Sequence, residues 1–405
     1  MTKPSTAGIP TILFGAFDRH NLGDLLFPHI AAALLPDEQL LFAGLAERDL
    51  RPHGGHRVRA LAQLAAQWSE RPVKLIHVGG EVLTCDAWQA AVMLLPPEQA
   101  QATIAYLESQ PEEKQAWVRW RLGLSALAPY TASRALFPRA AKVIYSGVGG
   151  VGLADSDPAL GAEVLTNLAA ADAVGVRDRQ TLAQLQAAGI AARLLPDPAV
   201  MVAELFSAPI RECSEQGEVA QIRQAFPQGY IAVQFSADFC DDETLAQIAV
   251  QLDLITGSSG HGVVLFRAGA APWHDDLSCL ERVAARMRAP SVKVFRSLHL
   301  WDICALITNS RGYCGSSLHG RIVAMAFALP RVNLRHPAQT HQPTKQAAFA
   351  ATWEAPGLPA TVAVHEIAQW IRDALAGDPG QLRRTASELV VHYRQGFNAI
   401  WAGLA

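Results

Sequence analysis

The residues best suited to chemistry lie in a short stretch, 315–321, where a histidine stands among small and polar residues. The stretch follows a short apolar run and opens an apolar helix that ends before Pro330. His319 would occupy the first turn of that helix, where an imidazole transfers protons near neutral pH. Ser316 or Ser317 can cap the helix, which leaves first-turn amides free. The alternative is a packed core histidine without a chemical role.

A second candidate follows the first predicted strand and has the sequence Asn-Leu-Gly-Asp at positions 21–24. Asn21 and Gly23 are typical of a turn, and Asp24 begins a helical pattern, so helix capping alone would explain them. The same geometry places free amides at a helix start, which is a natural seat for an anion. Asp24 would then orient a ligand hydroxyl or a basic partner.

Two glycine-rich turns follow other predicted strands. Gly79 and Gly80 come directly after residues 74–78, and they would allow a ligand to approach the backbone closely. Residues 147–152 match GxGxxG, but no acidic residue closes a second strand about 20 residues later, as a dinucleotide site requires. We therefore expect Gly149 to belong to a loop that lines a cleft and not to a bound NAD.

A basic and an acidic residue are predicted at the same sheet edge. Arg177 follows the predicted strand 173–176 and would point toward the mouth of a cleft. The two prolines beside Asp197 stiffen a turn that would project this carboxylate to the same edge. The alternative for Arg177 is a surface ion pair with Asp178 or Asp197.

Short apolar runs alternate with longer amphipathic ones, which is typical of βαβ units around a parallel sheet. The predicted strands are 11–16, 39–43, 74–78, 142–145, 173–176, 230–235, 262–266, 291–295, 312–314 and 331–333. The predicted helices are 25–35, 57–68, 243–256, 275–288, 298–307, 318–328 and 381–402. We therefore expect an α/β protein with two doubly wound domains whose strand ends surround one cleft.

The alternation of predicted strands and helices also suggests where the domains begin and end. An N-terminal Rossmann-like domain would cover 1–205, with an insertion at about 110–138 that carries its own helix. Residues 206–229 lack strong periodicity and are predicted to join the domains. A second Rossmann-like domain would cover 230–378, and the helix in 379–405 would pack back on the first domain.

Composition excludes several classes of protein. The formal charge of −3 in 405 residues argues against a protein that neutralises a nucleic acid. Half of the residues are hydrophobic, so a large core is expected. The six cysteines form no CxxC pair, and isolated thiols in a reducing cytosol fit best. Residues 9–17 lack a cleavage site, and no apolar run is long enough to span a membrane.

Metal binding is not supported by the sequence. His53 and His56 stand three residues apart in a glycine-rich loop, without a carboxylate or cysteine partner. The chain contains 28 Arg and only six Lys. Most of this excess is compositional, but a few Arg in one cleft would suit a planar anion.

Taken in order, these motifs resemble the polysaccharide pyruvyl transferase family. The resemblance spans about residues 11–335, and Leu-His-Gly with its apolar helix is its most specific element. The motifs are Asn-Leu-Gly-Asp at 21–24, Gly-Gly at 79–80, Val-Arg-Asp at 176–178, Pro-Asp-Pro at 196–198, Ser-Leu-His-Gly at 317–320, and Pro330.

The resemblance implies a GT-B-like pair of Rossmann-type domains. It implies transfer of pyruvate from phosphoenolpyruvate to a sugar of a cell-surface polysaccharide or its lipid-linked precursor, as a ketal, in exopolysaccharide or lipopolysaccharide assembly. Neither a further cofactor nor a metal is implied. The partners would be a small donor and a glycan acceptor, in the cytoplasm and with peripheral membrane association left open. The oligomeric state is left open too.

The family motif also assigns roles to residues. It implies His319, Asp24 and Arg177 as catalytic residues, with His319 as acid and base and Arg177 on the anionic donor. The substrate would be bound by Asn21, Gly23, Gly79, Gly80, Gly149, Ser316, Ser317, Leu318, Gly320 and Arg321.

One position departs from the family pattern. The family usually has Ser-Arg-Leu-His-Gly, and the Arg expected to bind the donor is Ser317 here. Arg321 or Arg311 would have to replace it, although Arg321 lies about 200° around the helix from His319. Two alternatives remain: a GT-B glycosyltransferase that uses a nucleotide sugar, and a catalytically degenerate member that binds glycan or acts as a scaffold.

Overall fold

Two β-sheets organise the chain. The computed structural model describes residues 8–339, 344–355 and 357–403. The strands of the first sheet are β1 (Thr11–Phe14), β2 (Leu40–Gly44), β3 (Arg48–Asp49), β4 (Arg57–Ala60), β5 (Val73–His77), β6 (Ala140–Val148), β7 (Ala173–Val176) and β8 (Arg193–Leu194). Their spatial order is β3-β4-β2-β1-β5-β6-β7-β8, and only the β3–β4 pair is antiparallel.

The second sheet is entirely parallel. Its strands are β9 (Tyr230–Gln234), β10 (Gly262–Leu265), β11 (Val292–Val294), β12 (Gly312–Gly315) and β13 (Arg331–Asn333). Their order is β11-β10-β9-β12-β13. In each sheet the first strand of the winding, β1 or β9, has later strands on both sides. Such a switch point opens a crevice at the carboxyl ends of the strands, and this is where α/β proteins bind ligands.

Helices cover the faces of both sheets. They are α1 (Leu22–Leu34), α2 (Leu61–Trp68), α3 (Ala87–Met93), α4 (Pro97–Leu107), α5 (Pro111–Leu122), α6 (Pro158–Ala169), α7 (Arg179–Ala187), α8 (Val202–Ser214), α9 (Gly217–Ala225), α10 (Asp242–Ser259), α11 (Leu277–Arg286), α12 (Leu300–Thr308), α13 (Leu318–Ala326), α14 (Lys345–Trp353), α15 (Ile367–Leu375) and α16 (Pro379–Ala402). Among these described elements, no helix is long and apolar enough to cross a membrane.

Every strand predicted from the sequence is confirmed to within two residues, except β6, which is longer at both ends. The prediction of one helix over 57–68 is wrong in its first turn, because residues 57–60 form β4 and pair with β2. The join at 206–229 is also helical, in α8 and α9. A kink at Phe206 (φ −130°) breaks the periodicity, and it places Pro209 in the first turn after the kink, where proline is tolerated.

The two sheets are joined through the loop that follows β1. Asn21 forms an antiparallel bridge with Gly269, and the Leu22 amide donates to the Ala268 carbonyl at 2.8 Å. The His20 ring adds a contact, since its Nε2 lies 2.7 Å from the Leu298 carbonyl. Backbone pairing of this kind fixes the β1–α1 loop against the second domain.

The C-terminal helix α16 returns to the first sheet. Its Tyr393 hydroxyl lies 3.2 Å from the Ser146 hydroxyl on β6. A Cβ on Gly396 would overlap the Leu195 side chain, so this glycine allows close packing. The helix that follows the second domain therefore packs on the first one.

One cysteine pair departs from the expectation of isolated thiols. Cys240, just after β9, and Cys279 in α11 form a disulfide with a Cα–Cα separation of 5.5 Å. Their separation of 39 residues gives no recognisable spacing, which is why the sequence did not indicate the pair. The other four cysteines are free thiols: Cys85, Cys213, Cys304 and Cys314.

Arg321 lies in the interior, away from the cleft. Its guanidinium contacts the carboxylate of Glu354 at 2.7 Å, and Arg331 contacts the other oxygen at 2.6 Å. All three side chains are at most 3% exposed. Burial would raise the pKa of Glu354, but the two guanidinium groups outweigh burial and lower it. Arg321 therefore does not line the cavity, as its position on the helix already suggested, and substrate binding by this residue stays a prediction.

Glu354→Gln should lower the free energy of unfolding by about 3–5 kcal/mol at pH 7, because it leaves two buried guanidinium groups without a counter-charge. Since the pKa of Glu354 is lowered by folding, the loss should shrink as the pH falls through the folded-state pKa. Urea denaturation at several pH values measures this. Glu215→Gln, which breaks an exposed ion pair with Arg223, is the control and should change little. Equal stabilities of the two variants would contradict the assignment.

Candidate active site

A cavity of about 500 Å³ lies between the carboxyl ends of the two sheets. The side chains around it come from both domains. Of the residues predicted from the sequence, it is lined by Asn21, Asp24, Arg177, Ser316, Ser317, Leu318 and His319. Among the described residues it is also lined by Arg19, Glu81, Gln234, Trp273, Asp275 and Lys345, which the sequence analysis did not select. Gly23, Gly79, Gly80, Gly149, Gly320 and Arg321 do not line it.

His319 is held in the first turn of α13. Ser317 caps this helix, and its hydroxyl accepts a hydrogen bond from the Gly320 amide at 3.2 Å. The His319 ring packs edge-on against Phe27 at 5.2 Å. A Cβ on Gly23 would overlap the ring. Gly23 therefore supports His319 by its small size and does not bind the substrate directly.

Asp197 stands behind His319. Its Oδ2 lies 3.4 Å from the His319 Nε2, and its Oδ1 accepts from the Ala199 amide at 2.9 Å. Burial alone would raise the pKa of Asp197, but His319, Arg177 and this amide outweigh burial and lower it. Asp197 therefore stays ionised and lies within ion-pair distance of the imidazole, whose Nε2 makes no hydrogen bond among the described residues.

The guanidinium group of Arg177 forms ion pairs with two carboxylates. Its Nη1 donates to Asp197 at 2.8 Å, and its Nη2 donates to Glu81. The side chain is 1% exposed, and burial, which opposes its charge, is outweighed by these two acids, so its pKa is raised. The expectation that Arg177 grips the donor is therefore replaced by a positioning role, in which it holds Asp197 against His319.

The glycine turns at residues 79–80 and 147–150 lie close to this network. Gly80 has a φ of +98°, and a Cβ there would meet Asp24 Oδ1 at 3.4 Å. Gly79 has a φ of +128° and lies against Phe27. A side chain at Gly149 would overlap Glu81 and Arg177. Gly149 therefore allows charged groups to approach one another closely, whereas Gly79 packs on Phe27. That the three glycines bind substrate stays a prediction.

The β1–α1 loop contributes an acid and a base to the cavity. Asn21 caps α1, with its Oδ1 accepting from the Gly23 and Asp24 amides at 3.1 and 3.4 Å. Asp24 Oδ2 lies 3.6 Å from the Nε of Arg19. Asp24 therefore faces the cavity as the partner of a basic residue, one of the two roles expected for it.

Arg19 is the cation that the sequence analysis missed. Its side chain is 11% exposed, and it lies over the Tyr130 ring at 5.3 Å. Its Nε and Nη1 have no hydrogen-bond partner among the described residues. The signal was available in the sequence, because Arg19 stands only two positions before Asn21 in the same loop.

Lys345 provides a second cation on the cavity wall, at the first position of α14. Loss of bulk water around its ammonium group lowers its pKa, with smaller opposing effects from Glu81 and Asp24 and a reinforcing one from Arg177. Lys345 lies outside the stretch that carries the family motifs, so no pattern pointed to it. Arg311, considered as a substitute for Ser317, precedes β12 at the opposite end of that strand from Ser316.

The start of α13 offers hydrogen-bond donors to the cavity. The Ser317 amide donates to the Gln234 side-chain oxygen at 2.8 Å. The Ser316 hydroxyl accepts from the Ser236 amide at 2.9 Å. Within the described ranges, the amides of Leu318 and His319 have no acceptor. Two free amides at a helix N-terminus, next to Arg19 and Lys345, form a binding place for an anion.

One group of metal-ligand types lies outside the cavity. In the described part of the chain, Cys213, His299 and Asp302 bring ligand atoms within 4.8 Å of one another. His53 and His56, considered in the sequence, do not belong to this group. The three residues belong to α8 and the start of α12, so they have no part in the His319 network.

Several solved structures have the same architecture as this chain, and three of them contain UDP-GlcNAc, UDP, or UDP with glucose. The UDP-GlcNAc 2-epimerase from Neisseria meningitidis, bound to UDP-GlcNAc, aligns with 98% of this chain and 99% of its own, at 10% identity and a TM-score of 0.54. Anabaena HepE, in complex with UDP and glucose, aligns with 98% of this chain and 100% of its own, at 12% identity and a TM-score of 0.54. The S. aureus MnaA–UDP structure covers 98% and 97%, at 12% identity and a TM-score of 0.53.

These similarities confirm the predicted fold, a GT-B-like pair of Rossmann-type domains, and at such low identity they concern the fold alone. No curated protein sequence matches the chain significantly. The family model described as polysaccharide pyruvyl transferase matches residues 117–336, which is more than half of the chain. The match includes Arg177, Asp197 and His319, and this chain belongs to the polysaccharide pyruvyl transferase family.

Proposed function

We propose that this protein transfers a pyruvyl group from phosphoenolpyruvate to a sugar of a cell-surface polysaccharide or its precursor. The product is a ketal that bridges two sugar hydroxyls, and phosphate is released. The observation that carries the proposal is the cavity in which His319, backed by Asp197, faces the same space as Arg19 and Lys345. Such a site combines a proton-transfer group with a binding place for a small anion.

The donor carries a carboxylate and a phosphate, and both need cationic or amide partners. Arg19 supplies a guanidinium group whose Nε lies 3.6 Å from the Asp24 carboxylate and whose Nε and Nη1 make no hydrogen bond among the described residues, and Lys345 supplies an ammonium group. The free amides of Leu318 and His319 complete the set. These groups take over the role of the arginine that the family usually has where this chain has Ser317, whereas Arg177 and Arg321 are occupied by acids.

The chemistry requires one proton to move to carbon and one to leave oxygen. Protonation of the donor methylene carbon by His319 gives a cation-like centre at the neighbouring carbon, which a sugar hydroxyl attacks while His319 recovers a proton. The second hydroxyl then displaces phosphate, which leaves with the second proton, and the ketal closes. Asp197 stabilises the charged imidazole during the cycle, and the cations stabilise the leaving phosphate.

His319→Ala should reduce pyruvyl transfer by about 100-fold or more, because it removes the acid and base. Asp197→Asn should lower kcat with little change in the KM for phosphoenolpyruvate, because Asp197 acts through His319. Phosphate release with a glycan acceptor measures both. His365→Ala, which changes an exposed histidine outside the cavity, is the control and should keep full activity. Unchanged transfer by His319→Ala would contradict the mechanism.

Arg19→Met and Lys345→Met should each raise the dissociation constant for phosphoenolpyruvate by about tenfold, the loss expected for one charge-assisted hydrogen bond. Arg311→Met is the matched control and should leave binding unchanged. Titration calorimetry with phosphoenolpyruvate, repeated with UDP, measures this. Binding of UDP in place of phosphoenolpyruvate would support the nucleotide-sugar glycosyltransferase, and binding of neither donor would support a glycan-binding member without turnover.

A further inference from the structure

Trp273 occupies a backbone conformation that does not suit it. Residues 271–274 form a tight turn in which the His274 amide donates to the Ala271 carbonyl at 3.1 Å. Pro272 takes the second position, and Trp273 takes the third with a φ of +64°. A turn with Pro followed by a positive φ favours glycine at that third position. A bulky side chain there is strained, and such strain is concentrated at functional sites.

Packing does not explain why a tryptophan stands there. The residue is 47% exposed, and it lies on the wall of the active-site cavity. The other tryptophans of the described residues, except Trp120, are half-buried. An aromatic ring that is strained, exposed and directed to a cavity is better explained by a ligand than by the core.

The backbone of the turn that carries Trp273 is held by hydrogen bonds on its C-terminal side. The His274 carbonyl accepts from the Ala237 amide at 2.8 Å. The neighbouring Asp275 accepts from the amides of Ala268 and Gly269 at 2.6 and 3.3 Å, and Gly269 itself pairs with Asn21. Trp273 is therefore anchored to the same loop that supports His319, and little conformational freedom would be lost when a ligand binds.

The polar groups beside Trp273 suit a neutral ligand with hydroxyl groups. Asp275 accepts from Gln234 at 2.7 Å, and Asp238 is exposed on the same wall. Burial raises the pKa of Asp275 to about 7, so near neutral pH this side chain can donate as well as accept hydrogen bonds, and the Asp238 carboxylate can accept them from sugar hydroxyls. An aromatic face next to carboxylate and amide groups is the surface that a pyranose ring can cover with its C–H face.

We propose that Trp273 is the stacking platform of an acceptor subsite for a neutral pyranose, which presents its hydroxyls to His319. The subsite deepens the pyruvyl transfer proposed above and rests on it. It divides the cavity in two. Arg19, Lys345 and the start of α13 take the donor, while Trp273 and its acidic neighbours take the acceptor sugar.

Saturation-transfer NMR tests the subsite with methyl glycosides of galactose, glucose and mannose as probes, each with and without phosphoenolpyruvate. The wild-type protein should transfer saturation to the ring protons of at least one probe. Trp273→Ala should weaken that binding by about tenfold, the size of a lost aromatic contact. Trp273→Phe should retain most of it. Trp120→Ala, which removes an indole that is 75% exposed on α5, is the matched control and should bind as the wild type does.

Thermal denaturation of Trp273→Gly separates a ligand-binding role from a structural one. Glycine adopts a positive φ without strain, so this variant should melt at the same temperature as the wild type or higher, while losing the probe signal. A lower melting temperature would make Trp273 a packing residue. Equal signals from the wild type and Trp273→Ala, or no signal from any probe, would overturn the subsite. If the wild-type protein binds a glycoside probe but does not bind phosphoenolpyruvate, the donor assignment is wrong and the subsite still stands.

Discussion

The site depends on one buried guanidinium group, that of Arg177, which lies between the carboxylates of Glu81 and Asp197. A buried charge is costly unless its hydrogen bonds are satisfied, and here both Nη atoms are satisfied. The ion pair between Arg177 and Asp197 keeps the Asp197 carboxylate ionised. This carboxylate contacts His319, which belongs to the second domain. Gly149 permits the close approach of all three groups. Glu81, Arg177 and Asp197 lie in the loops that follow β5, β7 and β8. Their ion pairs therefore hold these three loops together beside the His319 ring.

The arginines near the site therefore differ in how they are paired. Arg177 and Arg321 form close, hydrogen-bonded ion pairs with acids, whereas the ion pair between Arg19 and Asp24 is longer, at 3.6 Å. Under the proposed function, Arg19 from the opposite domain supplies the positive charge that the family's arginine would supply at the position of Ser317. Arg19 belongs to the loop that pairs with Gly269 of the second domain, so contact between the two domains fixes the loop that carries this guanidinium group.

The sequence predicted the fold well because hydrophobic periodicity decides which segments become strands and helices. It failed at residues 57–60 and 206–229, where a short strand precedes a helix and a kink interrupts one. His319 and Asp24 could be selected from their positions at helix starts. The role of Arg177 could not, since the acid at Glu81 lies 96 residues away in sequence. Lys345 and Trp273 belong to no motif, and only the folded chain brings them to the cavity.

A crystal structure of the protein with phosphoenolpyruvate bound tests the central claim most directly. The account predicts that the carboxylate and phosphate lie within hydrogen-bond distance of Arg19, Lys345 and the amides of Leu318 and His319. It also predicts that the donor methylene carbon faces the His319 ring, with Arg177 still bound to Asp197. Donor density on Arg311 or Arg321, or an Arg177 that has left Asp197 to bind the phosphate, would contradict it.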